Sequence, residues 1–282
     1  MSFLATPQQI EAFQRRISNP SYSQEAVQLE FTTTHEFIAQ VLPPTLEPAE
    51  SATGLVSIST WESDVCGSFG LSSISLKCIH DGREGYWVLH LIVNDSFAIM
   101  WGRETWGEAK KAGQVHLSSR GAHWTGYMER HGVRLIEIEA DFDTALNTPK
   151  VVEWFDFEIK AFPSASGLGL HSDPLLLTLG VRDTHVKHAT GKGKLTLRGT
   201  PNDPLHTIPI QSIADCCYYQ GPSEWYVTKE GPMCPAGQYM PYFVARHYDQ
   251  FIDLAVGKEV MQKDREEDTV VSKEQRSWKT LD

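Results

Sequence analysis

The sequence predicts a mainly β (α+β) fold: an antiparallel β-barrel, closed or nearly closed, with a few peripheral helices. Two observations carry this expectation. Between residues 54 and 198, short segments of alternating apolar character recur at regular spacing with turn signals between them. They also follow one another without the long amphipathic segments that βαβ crossovers need, and no internal repeat is visible.

The elements read as follows. Residues 7–17 form a short amphipathic helix with Ile10, Phe13 and Ile17 on one face and Arg15-Arg16 solvated. Residues 23–31 alternate through Val27, Leu29 and Phe31 as a strand. Thr34 caps a helix through Phe37, Ile38 and Val41, and Pro43-Pro44 stops it. Residues 55–59 are a strand; residues 74–79 and 86–93 flank a hairpin with an Asp81-Gly82 turn. Strands follow at 114–118, 123–129 and 133–140, the last two joined across Arg130-His131-Gly132, then at 154–162, 174–186 and 194–198. Gly191-Lys192-Gly193-Lys194 lacks phosphate-loop spacing and reads as a hairpin turn. Residues 203–213 close this portion. The expected organisation is a barrel domain over residues 1–222 and a C-terminal extension over 223–282, packed on or trailing it. That extension reads as an ordered loop at 222–241, a helix at 242–261 and a loosely held charged tail at 263–282.

Composition narrows the function. Of 282 residues, 41% are hydrophobic and 22% charged, enough for a sizeable core. A net charge of -11 and a pI near 5.5 argue against a nucleic-acid or anionic-membrane partner. The first residues form no secretory signal, and no apolar window approaches the about 18 residues a membrane helix needs. A cytoplasmic location is expected. Cys66, Cys78, Cys216, Cys217 and Cys234 are odd in number and lack CxxC spacing, so neither a disulfide framework nor a zinc site is indicated.

The stretch with chemical promise is Gly102-Arg103-Glu104-Thr105-Trp106-Gly107-Glu108-Ala109-Lys110-Lys111, which follows an apolar run over residues 92–101 broken only by Asn94, Asp95 and Ser96. A lysine at the end of a buried strand is pressed to lose its proton, and a second cation beside it adds to the pressure. A neutral amine condenses with a ketone to give a Schiff base. The plain alternative is a solvated lysine pair.

An ordered set of segments resembles the acetoacetate decarboxylase superfamily. These are the helix ending in Pro43-Pro44-Thr45-Leu46-Glu47, the hairpin before Tyr86, and residues 93–100 leading to Gly102-Arg103-Glu104 with the lysine pair six residues beyond. Phe157-Glu158-Ile159-Lys160 with Pro163, residues 188–197 and residues 204–210 complete the set, which covers roughly residues 24–219. The resemblance implies a β-barrel whose lysine faces an apolar interior, no cofactor, no metal, a small-molecule carbonyl substrate and a homo-oligomer. It makes Lys110 the Schiff-base lysine and Lys111 the neighbour whose charge depresses its pKa.

The departures lie around that lysine. Gln24 stands where the family has an arginine, Leu71 where decarboxylases have a glutamate, and Ala109 where a proline is usual. A second pocket glutamate has no match near Ile58, and Glu62 is the nearest substitute. Leu71 predicts a drier pocket and a bulkier, less polar substrate than acetoacetate. The candidate catalytic residues are Lys110, Lys111, Glu62 and Glu104; the candidate substrate-binding residues are Gln24, Phe69, Leu71, Trp101, Trp106 and His116, with Tyr127 a further acid/base candidate. Each has an ordinary reading: Glu104 paired with Arg103, Glu62 and His116 at the surface, the aromatics in the core. The expected function is a cofactor-free Schiff-base lyase decarboxylating a β-keto acid or related ketone through a Lys110 imine and enamine. The alternatives are an aldolase, dehydratase or cyclase on a larger ketone of secondary metabolism, and a catalytically silent ligand-binding barrel.

Overall fold

In the computed structural model, which describes residues 3–18, 20–143, 146 and 148–249, thirteen strands form one continuous sheet. The chain runs α1 (Pro7–Ser18), β1 (Tyr22–Thr32), α2 (His35–Val41), β2 (Glu47–Pro48), β3 (Thr53–Ser63), β4 (Gly67–His80), β5 (Arg83–Val93) and α3 (Ser96–Thr105). It continues as β6 (Lys110–Ala112), β7 (Gln114–Arg120), β8 (His123–Arg130), β9 (Val133–Phe142), β10 (Lys150–Lys160), β11 (Leu175–His185), β12 (Lys187–Leu197), a 3₁₀ turn (Leu205–Thr207), β13 (Ser212–Pro232) and α4 (Ala236–His247).

Seven of the strands close a ring in the order β1-β3-β4-β5-β10-β11-β13, sealed by the antiparallel pairing of β13 with β1. From β13 the sheet continues through β12, β9, β8 and β7 as an arm whose far end packs back on β3 and β4. The ring is antiparallel except where β5 meets β10, and the short β6 adds to β5 in parallel.

Period-2 alternation gives each ring strand two different faces. On the outer face, Val27, Leu29, Phe31, Val56, Ile58, Ile74 and Leu76 are buried against the arm's Met128, Ile136 and Ile138 and against Ile38 of α2. This is the dry core of the molecule; each such fully buried aliphatic side chain contributes about 1.5–3 kcal/mol. On the inner face the same strands present Gln28, Ser57, Ser59, Ser73 and Ser75 to a cavity.

Turn and cap chemistry matches the sequence expectations in several places. Asp81-Gly82 (φ 51° and 70°) and His131-Gly132 (φ 51° and 77°) are both left-handed at the tips of their hairpins, as tight two-residue turns require. The Thr34 side chain accepts a hydrogen bond from the Phe37 amide at 3.1 Å. All five cysteines are free.

β5 ends at Val93, where the sequence places the end of that strand; beyond it the apolar run turns helical, the Asp95 carboxylate capping α3 by accepting from the Ala98 amide at 2.8 Å, with Gly102-Arg103-Glu104 in the helix's final turns. Three expectations are corrected. Gly191-Lys192-Gly193-Lys194 is not a hairpin turn but lies inside β12, where a Cβ at Gly191 would strike the Asp141 carbonyl and one at Gly193 the Cys216 sulfur. The boundary expected at residue 222 falls inside β13, whose residues 223–232 pair with β11, so the extension begins as part of the barrel wall and not as a loop. The helix expected at 242–261 instead begins at Ala236 and ends at His247, with residues 250–261 of its expected span and the tail at 263–282 outside the described residues. In α1, Ile10 and Phe13 do share a face, but no residue of the helix is buried.

Candidate active site

The parallel register of β6 on β5 decides where the two lysines go. Lys110 pairs with Leu91, whose side chain faces the cavity, and Lys111 pairs with Ile92, which belongs to the outer core. Adjacent strand residues point to opposite faces, so the lysines leave the barrel wall in opposite directions.

Lys110 enters a cavity of about 580 Å³ inside the seven-stranded ring. Its Nζ lies 2.8 Å from Glu108 Oε2 and 5.9 Å from the centroid of the Phe69 ring. The turn that delivers Glu108 is wound on one acceptor: the Gly102 carbonyl accepts from the amides of Trp106, Gly107 and Glu108 at 3.1, 3.1 and 3.2 Å. Both glycines of this turn are required by space. A Cβ at Gly102 would stand 2.5 Å from Lys110 Nζ and closer still to Glu108 Oε2. Gly107 has φ 78°, and a Cβ there would strike the β10 backbone at Ile159 and Lys160. Arg103 fastens the assembly from behind, its Nη1 donating to the carbonyls of Lys110 (3.1 Å) and His247 (3.0 Å).

Three more carboxyl groups line the cavity from buried positions. Asp156 and Glu158 alternate on β10 with the core residues Phe157 and Ile159, and Asp183 comes from β11. Asp183 is fully engaged, accepting from Ser223 Oγ at 2.5 Å and from Gln24 Nε2 at 2.8 Å. Asp156 Oδ1 and Glu158 Oε2 are buried without a hydrogen-bond partner among the described residues. Burial, with the charges of Glu108 and Asp183 added, pushes the Asp156 carboxyl well above the ordinary range. Burial and Glu108 do the same to Glu158, against the pull of Arg246 and Lys110. The opposite wall is aromatic, with Trp61 stacked on Phe69 at 6.2 Å and Trp106 on Trp225 at 6.1 Å.

Lys111 emerges into a separate buried ionic cluster. Its Nζ lies 3.4 Å from Asp203 Oδ1 and 3.3 Å from Asp249 Oδ1. Arg130 reaches the same two carboxylates, at 2.5 Å (Asp203) and 2.9 Å (Asp249), and His90 Nε2 lies 3.0 Å from Asp203. Burial works against the Asp203 carboxylate, but the His90 hydrogen bond and the charges of Lys111 and Arg130 outweigh it and hold its pKa low.

The structure thus brings Lys110, Phe69, Leu71, Trp101 and Trp106 together around one cavity. Gln24 stands behind that lining, reaching it through Asp183. Lys111 faces the other side of the wall, and three further expected site residues lie elsewhere. Glu62 is exposed and accepts from Ser68 Oγ at 2.6 Å, because its neighbour Trp61 takes the inward position on β3. Glu104 is exposed beside Met100 and Phe162, away from the cavity, and Arg103 bonds backbone carbonyls instead of pairing with it. His116 sits exposed on the arm strand β7, its ring 5.2 Å from that of Tyr127, over which Arg134 lies at 4.1 Å. The drier pocket expected from Leu71 is also corrected: Leu71 lines the cavity, but seven carboxyl groups line it too, four of them (Glu108, Asp156, Glu158 and Asp183) deep in it. Glu108, Asp156, Glu158 and Asp183 were not singled out from the sequence, although two acids at alternate positions of the apolar strand Trp154-Phe155-Asp156-Phe157-Glu158-Ile159 are a visible signal.

A family model described as acetoacetate decarboxylase (ADC) matches residues 3–225. Among solved structures, the chain is similar to acetoacetate decarboxylase from Legionella pneumophila subsp. pneumophila str. Philadelphia 1, with 16% identity, 75% of this chain and 88% of that one covered, and a TM-score of 0.64. It is similar to the enduracididine biosynthesis enzyme MppR, solved with the condensation product of pyruvate and imidazole 4-carboxaldehyde, at 19% identity, 76% and 88% coverage and a TM-score of 0.65. An acetoacetate decarboxylase-like enzyme from Sphingomonas wittichii RW1 matches at 15% identity, 77% and 94% coverage and a TM-score of 0.61. No curated protein is significantly similar in sequence.

Proposed function

Because the chain belongs to the acetoacetate decarboxylase family, as the match over residues 3–225 shows, we propose that it is a cofactor-free lyase that condenses a carbonyl compound with Lys110. The observation that carries this reading is the Lys110–Glu108 pair, 2.8 Å apart inside the barrel cavity. An ammonium is not a nucleophile, so the pair must first pass a proton from Lys110 Nζ to Glu108. The freed amine attacks the carbonyl carbon; Glu108, within the reach general acid–base catalysis needs, returns the proton to the carbinolamine oxygen, and water leaves. The resulting iminium is an electron sink for breaking a bond at the neighbouring carbon.

What breaks depends on the proton traffic available. Glu108 beside the imine nitrogen supplies the acid/base group that aldol cleavage or dehydration requires, and this favours those reactions. Decarboxylation of a β-keto acid is the second reading, favoured by the family match; there the proton carrier is needed only to quench the enamine carbon.

Borohydride reduction in the presence of a small ketone tests the proposal. The expected result is a mass increment on the peptide that holds Lys110, absent in Lys110→Ala. No adduct with any carbonyl compound, together with unimpaired ligand binding by Lys110→Ala, would instead favour a silent binding barrel. Release of carbon dioxide from β-keto acids separates the two lyase readings.

A further inference from the structure

We propose that the cavity selects carbonyl compounds carrying a positive charge, which Asp156 and Glu158 receive, and not keto acids whose carboxylate must be bound. This rests on the reading that a carbonyl condenses at Lys110, and deepens it by naming the substrate class.

The charge inventory of the lining leads there. Among the described residues, Lys77 and Lys110 are the lysines or arginines that line the cavity, and both are already paired, Lys77 with Glu84 at 2.6 Å and Lys110 with Glu108 at 2.8 Å. Arg246 lies behind the wall, donating to the Val88 carbonyl at 2.5 Å and stacked over Trp87 at 4.3 Å. The His185 ring stacks on Tyr219 at 4.1 Å, and its Nε2, which makes no hydrogen bond among the described residues, already lies 3.9 Å from the Asp183 carboxylate. Nothing in this inventory offers an unspent cation to a substrate carboxylate. Gln24, in the position where the family resemblance leads one to expect an arginine, adds none: its amide is spent on Asp183.

The acids tell the complementary story. Glu30, Glu84 and Glu153 are exposed members of the lining, and Glu108, Asp156, Glu158 and Asp183 stand deeper in it. Asp156 and Glu158 are 6% and 2% exposed, each with a buried oxygen that no described group satisfies. Buried polar atoms left unpaired cost about 1–3 kcal/mol each, so two of them on neighbouring side chains that line one cavity mark a place where a ligand completes the bonding. The groups facing the two acids are Glu108, Asp183, Lys110 and Arg246, and the balance disposes both carboxyls to hold protons. An arriving cation displaces those protons and takes up the charge. Alternate strand positions spread the two acids over about 7 Å, and among the described residues no three acids, cysteines or histidines are placed to hold a metal ion. That spread suits an extended organic cation. The stacked Trp61, Phe69, Trp106 and Trp225 supply π faces on which such a cation is further stabilised.

Three probes of matched reach test this: acetonyltrimethylammonium, its neutral carbon isostere 4,4-dimethyl-2-pentanone, and the stable keto acid levulinate. Borohydride trapping on the Lys110 peptide, followed against probe concentration, should half-saturate at a concentration at least about tenfold lower for the cation than for the isostere, a difference of about 1.4 kcal/mol, with levulinate weakest. In Asp156→Asn, and again in Glu158→Gln, the ratio of cation to isostere should collapse toward one, with thermal melts confirming that each variant is folded. Levulinate or the isostere binding as tightly as the cation would overturn the proposal, as would a preference that survives both substitutions. If no ketone is trapped, the Lys110 reading fails separately, and calorimetric binding of the same three probes still decides the charge preference.

Discussion

Inside the barrel wall at β6, Lys110 meets a carboxylate at 2.8 Å and a cavity where Asp156 and Glu158 each keep an unpartnered oxygen; outside it, Lys111 shares Asp203 and Asp249 with Arg130, and His90 adds to Asp203. The two lysines are almost equally buried, at 6% and 8% exposure. Burial therefore does not distinguish them; the saturation of their surroundings does. Outside, Asp203 and Asp249 are held low because cations and hydrogen bonds outweigh burial. Inside, Asp156 and Glu158 are pushed up because burial and like charges act together. A buried ionic cluster whose charges are matched is a structural clasp, and here it ties Asp249, beyond α4, to β6 and the end of β8. A buried set of acids left unmatched costs stability, and its presence is explained by what it binds.

The largest effects should come from exchanging the two lysines for methionine. Lys110→Met should abolish borohydride trapping and cost less stability than Lys111→Met, since it leaves one carboxylate, Glu108, short of a cation instead of two. Lys111→Met should retain a trappable Lys110 but lose about 3–5 kcal/mol of stability, because it leaves buried carboxylates short of a cation. Equal loss of trapping in both variants at matched folding would break the contrast. Asp203→Asn comes next, with a loss of the same order or somewhat smaller, about 3 kcal/mol, since Lys111 and Arg130 keep Asp249. Its pH signature follows from its sign. A carboxyl held below its unfolded value, near 4, contributes stability that is present above that value and lost as pH falls through the folded pKa. Wild type should therefore lose stability on acidification more steeply than Asp203→Asn in denaturant titrations.

How much of this was legible beforehand follows the same division. The closed barrel was readable because Val, Ile and Leu alternate along strand after strand, and Lys110 was readable through the family resemblance. Asp156 and Glu158 were not, because a polar residue at alternate strand positions ordinarily marks a solvent face; only the β1–β13 closure turns that face inward. Glu62 looked close to the site in sequence, yet Trp61 occupies the inward position, and the strand's parity sends its neighbour out. Glu104 follows Gly102, which faces Lys110, by two helical residues, about 200° around the axis, and so points away. His116 was misplaced because nothing local separates an arm strand from a ring strand.

Gly102→Ala tests how tightly the inner pair is fitted. The added methyl must displace the Glu108 carboxylate and the Lys110 ammonium, at a cost of about 1–3 kcal/mol. Trapping at Lys110 should slow while the far-ultraviolet spectrum stays that of the wild type. Unaltered trapping kinetics would mean that the Lys110–Glu108 geometry is not what sets reactivity.

The smallest effect should be the mirror image of the Asp203 result. A buried carboxyl whose pKa is raised binds its proton more tightly in the folded state than in the unfolded one, where it titrates near 4. Between these values the folded protein holds more protons, so stability declines as pH rises from about 4 through the folded pKa of Asp156 and Glu158. Asp156→Asn removes one of the two groups responsible. Relative to wild type it should gain on the order of 1 kcal/mol at pH 8 and little at pH 4, read from urea midpoints at the two pH values. The outer cluster loses stability toward acid and the inner acids lose it toward base, so the two variants should shift the pH profile in opposite directions. A variant of Asp156 that loses stability at pH 8 would show that its carboxylate is already matched by a cation, and would erase the distinction between the two sides of the wall.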